Sequence, residues 1–151
     1  MRPQPAGGPK PVGPELPEVL VIHCSDGRFQ PHFQDFLRRD LGLEHYTLVA
    51  VPGGVHFLTL VDYLPKFSWA GWRWVKFLVD LAPPARVILI AHEDCRWYRD
   101  SRFGLPPPDP RAKQLADLQA ARAGLVERFG KVPVELYYAR VAGERVAFER
   151  L

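Results

Sequence analysis

Residues 86–95 read Arg86-Val87-Ile88-Leu89-Ile90-Ala91-His92-Glu93-Asp94-Cys95, an unbroken apolar run that ends in four residues able to do chemistry. An apolar run without alternation is the pattern of a strand buried on both faces, as in a parallel sheet covered by helices. The same arrangement recurs on either side of it. Val19 to His23 leads into Cys24-Ser25-Asp26-Gly27-Arg28, and Tyr46 to Val51 leads into Pro52-Gly53-Gly54. Val134 to Val141 supplies a fourth run, and a turn at Ala142 to Arg145 returns the chain along Val146 to Phe148 as a hairpin. Helical patterns lie between these runs. Pro31 to Leu41 places Phe33, Phe36, Leu37 and Leu41 on one face, with proline at its start and Gly42 at its end. Ser68 to Leu81 and Pro110 to Phe129 are the other two. Strands alternating with helices imply right-handed crossovers and a largely parallel sheet. The spacing therefore predicts an α/β fold in three layers: about four mostly parallel strands, a C-terminal hairpin strand, and helices on both faces.

The chain has 151 residues, the size of one domain, which we expect to occupy residues 18–151. Hydrophobic residues make up 47% and charged residues 25%, a balance that excludes disorder as the main description. Of 16 prolines, six fall in the first 17 residues, so residues 1–17 are expected to form an extended Pro/Gly-rich tail. A net charge of +3 is too small to argue for nucleic acid without a concentrated basic patch. No apolar run reaches the roughly 18 residues of a membrane span, and the N-terminus lacks the apolar core of a signal peptide. A soluble, cytoplasmic protein is expected. There a structural disulfide between the two cysteines, Cys24 and Cys95, would not persist, which favours metal binding or catalysis.

The segment Ser68 to Leu81 is apolar nearly all round, with Trp69, Trp72, Trp74, Val75, Phe77 and Leu81 pointing in several directions. A surface helix shows an apolar arc of only about 100° or a little more. A second face must therefore be covered, either by the Pro-rich segments or by another subunit. Aromatic residues concentrate at interface cores, so a homodimer or higher homo-oligomer is expected.

In an open parallel sheet the ligand crevice lies beyond the carboxyl ends of the strands, where the crossovers diverge. Neighbouring first and third strands would bring Cys24, His92 and Cys95 together there. Two thiolates and one imidazole make a zinc set, and three protein ligands leave a fourth position open, as in catalytic sites. His23 should point to the opposite face from Cys24, because successive strand residues alternate. A cysteine-phosphatase loop is excluded: it needs five residues between Cys and Arg, and Cys24 to Arg28 leaves three.

The pairing of Cys24-Ser25-Asp26-Gly27-Arg28 with His92-Glu93-Asp94-Cys95 resembles the beta-class carbonic anhydrases, over about residues 18–151. That resemblance implies zinc-assisted hydration of carbon dioxide to bicarbonate, with Zn2+ held by Cys24, His92 and Cys95. It also implies that Asp26 accepts a hydrogen bond from the attacking hydroxide and that Arg28 keeps Asp26 ionised, unless Asp26 itself swings onto the metal. Gly53 and Gly54 would let backbone approach the pocket and offer N–H groups to bicarbonate, or would form a simple turn. His32 and His56 read as exposed side chains or as proton relays.

Two stretches depart from that pattern. Arg96-Trp97-Tyr98 stands where small residues usually follow the second cysteine, and Pro52-Gly53-Gly54 replaces an Ala-Gly-Asn type of turn. The bulky trio would narrow the pocket, block it, or reshape it for carbonyl sulfide or carbon disulfide. Arg96, Arg99 and Arg102 read as a solvated loop or as an anion-gathering cluster. A zinc-stabilised dimer module without activity is the alternative from another class.

Overall fold

Residues 12–60, 65–100 and 107–151 are described by the computed structural model. Residues 1–11 of the expected tail and Arg102 of the expected arginine cluster lie outside them. Five strands form one sheet: β1 (Val19–Cys24), β2 (Thr47–Val51), β3 (Arg86–His92), β4 (Val134–Ala142) and β5 (Arg145–Arg150). Their order across the sheet is β2-β1-β3-β4-β5. The first four are parallel, and β5 runs antiparallel to β4 as the return arm of the hairpin. The strand before each crossover carries the apolar run read from the sequence, and β1 and β3 are buried almost throughout.

Alternation of side chains across the sheet sends each apolar run into two separate cores. On one face Leu20, Ile22, Val87 and Leu89 pack with α3 (Pro65–Leu81) and α4 (Pro110–Phe129). On the other, Val21, Ile88 and Ile90 pack with Phe33, Phe36 and Leu37. Fully burying one such aliphatic side chain contributes about 1.5–3 kcal/mol. The three-layer α/β expectation holds.

The expected single helix over 31–41 is built differently. An α-helix, α1 (Gln30–Asp35), widens into a π-helical turn over Phe36–Asp40, with the Leu41 N–H donating to the Phe36 carbonyl at 3.1 Å. Hydrophobic periodicity marks the buried face and is blind to the hydrogen-bond ladder, so the widening was not legible. The wider turn leaves both Phe36 and Leu37 buried, and Phe36 stacks on Phe148 of β5 at 4.0 Å. A short helix, α2 (His56–Thr59), follows the glycine turn.

The neighbouring strands β1 and β3 place their carboxyl ends side by side, with His23 level with Ile90. The loops after β1, β2 and β3 meet at this one end of the sheet.

Candidate metal centre

The last residues of β1 and β3 and the loop after β3 bring Cys24, His92 and Cys95 together, with all candidate ligand atoms within 4.8 Å of one another. All three residues are buried. The two sulfurs are 3.9 Å apart. Sulfurs each ~2.3 Å from a tetrahedral zinc ion would lie about 3.8 Å apart, so the pair has the spacing that a shared ion needs. His92 adds the third donor. Its Nδ1 donates to the Glu93 carbonyl at 2.7 Å, which fixes the tautomer and leaves the Nε2 lone pair free. Among the described residues Nε2 is a buried side-chain polar atom without a hydrogen-bond partner. Such an orphan costs about 1–3 kcal/mol, and a metal ion is the partner this donor set fits.

The thiols differ in acidity. The hydrogen bond from Cys95, with help from His92 and the Gly53 N–H, holds the Cys24 thiol far below its usual range. Cys95 is pushed up, first by its hydrogen bond to Cys24 and then by burial. Two close thiols share one proton readily, and a metal ion takes the place of that proton.

Asp26 and Arg28 form the wall beside Cys24. Both Asp26 oxygens are engaged: Oδ1 accepts the Arg28 backbone N–H at 2.9 Å and Nε at 3.1 Å, and Oδ2 accepts Nη2 at 2.6 Å. The Arg28 hydrogen bonds hold the Asp26 carboxyl down at about 2. Arg28 also crosses to the other metal loop, donating from Nη1 to Asp94 Oδ2 at 2.9 Å and from Nη2 to the Asp94 carbonyl at 3.0 Å. One guanidinium thus ties the Cys24 loop to the Cys95 loop. Asp94 adopts φ +54°, a left-handed conformation that Asp tolerates better than most residues. The sequence reading gave Asp94 no task; a carboxylate between His92 and Cys95 facing Arg28 was the available signal.

The remaining candidates are distributed as follows. His23 turns to the opposite face, its ring 4.4 Å from Phe33. Gly53 and Gly54 are buried with φ +78° and +58°. The Gly53 N–H donates to Cys24 Sγ at 3.4 Å, so it supports the sulfur and is not free for bicarbonate. An added Cβ at Gly54 would meet the Cys24 nitrogen at 3.2 Å, which is the close backbone approach the glycine pair allows. His32 is exposed on α1. Arg96 and Arg99 both turn to Asp94, Arg96 Nε at 3.6 Å, which places these two in a salt-bridge cluster with Arg28.

The bulky trio divides. Arg96 and Trp97 line an open cavity of about 390 Å³ with Cys24, Asp26, Arg28 and Pro52. Tyr98 turns inward, and its hydroxyl donates to Asp117 Oδ2 at 2.7 Å. His56 accepts from the Trp97 indole N–H at 2.8 Å through Nδ1, so it is no free relay at the surface. Helix α4 also supplies Gln114, whose Nε2 donates to the His92 carbonyl at 2.9 Å. Gln114 and Asp117, polar residues one turn apart among the buried positions of α4, were the signal missed.

Among solved structures, the chain is similar to one of two tetrameric beta-carbonic anhydrases from the filamentous ascomycete Sordaria macrospora. The TM-score is 0.56 at 15% identity, over 91% of this chain and 81% of that one. It is also similar to beta-carbonic anhydrase isoform I of the protozoan Trichomonas vaginalis, with TM-score 0.53 at 15% identity, over 93% and 87% of the two chains. No protein-family model and no curated protein sequence matches the chain. The class defined here is an α/β protein with a buried Cys-His-Cys donor set at the carboxyl ends of its strands. Its fold is that of the beta-carbonic anhydrases.

Proposed function

We propose that the chain is a zinc-dependent carbonic anhydrase-like lyase, hydrating carbon dioxide reversibly to bicarbonate. The observation that carries this reading is the orphaned His92 Nε2 aimed at two thiols whose sulfurs are 3.9 Å apart, beside an Asp26–Arg28 pair. Cys24, His92 and Cys95 would hold the zinc. Zinc, when bound, supplies Lewis-acid chemistry that makes hydroxide available near neutral pH.

The chain's own residues do the rest. Arg28 keeps Asp26 ionised and fixes its orientation, so that Asp26 is ready to accept a proton-bearing group at the pocket. Because Arg28 engages both Asp26 oxygens, Asp26 is held for that task rather than released toward the metal. Burial around Cys24 and Cys95 limits water at the thiolates, and the Gly53 N–H stabilises the Cys24 sulfur. We place the protein in the cytoplasm, where ligand thiols stay reduced. Among the described residues no helix is long and apolar enough to cross a membrane.

Stopped-flow carbon dioxide hydration at about pH 8.5 tests this, because two thiolates should set the working pH above the ~7 of a three-histidine zinc site. Protein carrying one zinc should turn over, and Cys24→Ser should abolish turnover. Zinc-loaded protein without turnover would refute the reading and leave a zinc-stabilised module.

A further inference from the structure

We propose that Trp97, held in place by His56, is the specificity-determining wall of the pocket above Cys24, limiting how bulky a molecule can reach that sulfur. The substrate that such a wall would screen rests on the function proposed above; the wall itself rests on side-chain geometry alone.

The indole lies directly on the backbone of Gly53. A Cβ added there would come within 2.2 Å of Trp97 Cδ1 and 2.8 Å of Nε1, so the ring occupies the space a side chain would take. The same ring packs against the cluster of Cys24, Cys95 and Tyr98 and borders the cavity. It therefore forms one side of the cavity directly against Cys24.

A bulky side chain restricts a pocket only if it cannot swing away. The indole N–H donates to His56 Nδ1 at 2.8 Å, and rotation would break that bond in a half-buried setting. His56 is itself fixed. Its ring stacks on Tyr98 at 4.6 Å and 19°, and Tyr98 donates to Asp117, which also accepts from Lys113 Nζ at 2.6 Å. Asp117 is 3% exposed, so this anchor belongs to the core. Nδ1 accepts only if the proton sits on Nε2, and Nε2 faces Asp117 Oδ2 at 3.8 Å. Burial lowers the His56 pKa, which keeps the ring in the neutral form that accepts the indole N–H.

The test uses metal-free protein and two neutral reagents of the same chemistry and different bulk, methyl and benzyl methanethiolsulfonate. In each case the Cys24 sulfur attacks the sulfenyl sulfur, an S–S bond forms, and a sulfinate leaves; the adduct is located by peptide mass spectrometry. Trp97→Ala should raise the benzyl rate about tenfold or more while the methyl rate moves little. His56→Phe retains a ring against Tyr98 but cannot accept the indole N–H, and should raise the benzyl rate by a smaller factor. General loosening opens Cys24 to both reagents alike, so the ratio of rates separates a wall from a structural role. An unchanged ratio in Trp97→Ala overturns the wall, and an unchanged ratio in His56→Phe overturns the clamp, also if Trp97→Ala fails to fold. Failure of carbon dioxide hydration would leave these ratios untouched and strike only the proposed reaction.

Discussion

Gly53 meets two separate demands, a left-handed φ of +78° and an indole ring lying where its Cβ would be. Gly53→Ala should therefore destabilise the protein by about 1–3 kcal/mol, through backbone strain plus the clash. The two contributions separate in a double-mutant cycle followed by urea unfolding. In a Trp97→Ala background the clash disappears and only the backbone share of the loss should remain. An equal loss in both backgrounds would mean that Trp97 does not rest on this glycine. At this scale the sequence was most legible where residue type dictates chemistry. Cys24, His92 and Cys95 could be grouped because a thiol–imidazole set has few other uses in a chain with two cysteines. Partners set by packing were not legible. Nothing local to His56 or Trp97 says that they bond across 41 positions, and nothing local to Asp94 says that three arginines gather on it.

Elements position the site through their ends. The last residues of β1 and β3 deliver the ligands, and the side chain of Glu93 accepts the Val141 N–H at 2.7 Å, pinning the His92–Cys95 turn to β4. Helix α4 lies beneath, capped at its start by the Asp109 side chain, which accepts the Ala112 N–H. From that helix Gln114 holds the His92 carbonyl. Groups that orient a metal ligand are worth about 10–100-fold in metal affinity, so Gln114→Leu should weaken zinc binding by a factor in that range while the far-ultraviolet spectrum stays native. Chelator competition measures it; an unchanged affinity would remove Gln114 from the support of the site. The order of strands and helices was readable because each apolar run is short and uninterrupted. The boundaries were less so: α3 begins at Pro65 rather than Ser68, and β5 extends to Arg150 rather than Phe148. Proline is tolerated in a first helical turn, and the charged residues of β5 pair across the hairpin edge, as Arg140 and Glu149 do.

At the scale of the whole molecule, helix α3 presents a wide apolar face to solvent among the described residues. Trp69, Trp74, Phe77 and Leu81 are each more than half exposed on the single chain, on the second face that the sequence analysis expects the Pro-rich segments or another subunit to cover. Its inner face is settled, with Gly71 in contact with Phe57 and the Trp72 indole donating to the Leu58 carbonyl. We propose that a second copy of the chain covers the outer face. The mass in solution at micromolar concentration should then be at least dimeric, and Trp74→Arg with Phe77→Arg should shift it toward monomer without unfolding. Sedimentation equilibrium gives the answer, and a monomeric wild type would contradict the proposal.

The zinc-edge X-ray absorption spectrum of the purified protein, with metal content measured on the same sample, tests the metal centre most directly. One zinc per chain is expected, with two sulfur neighbours at ~2.3 Å and a histidine nitrogen at ~2.0–2.1 Å. The sulfur shell should fall to one in Cys24→Ser. A protein that takes up no zinc, or whose sulfur shell is unchanged by Cys24→Ser, would contradict the assignment of Cys24, His92 and Cys95 as its ligands.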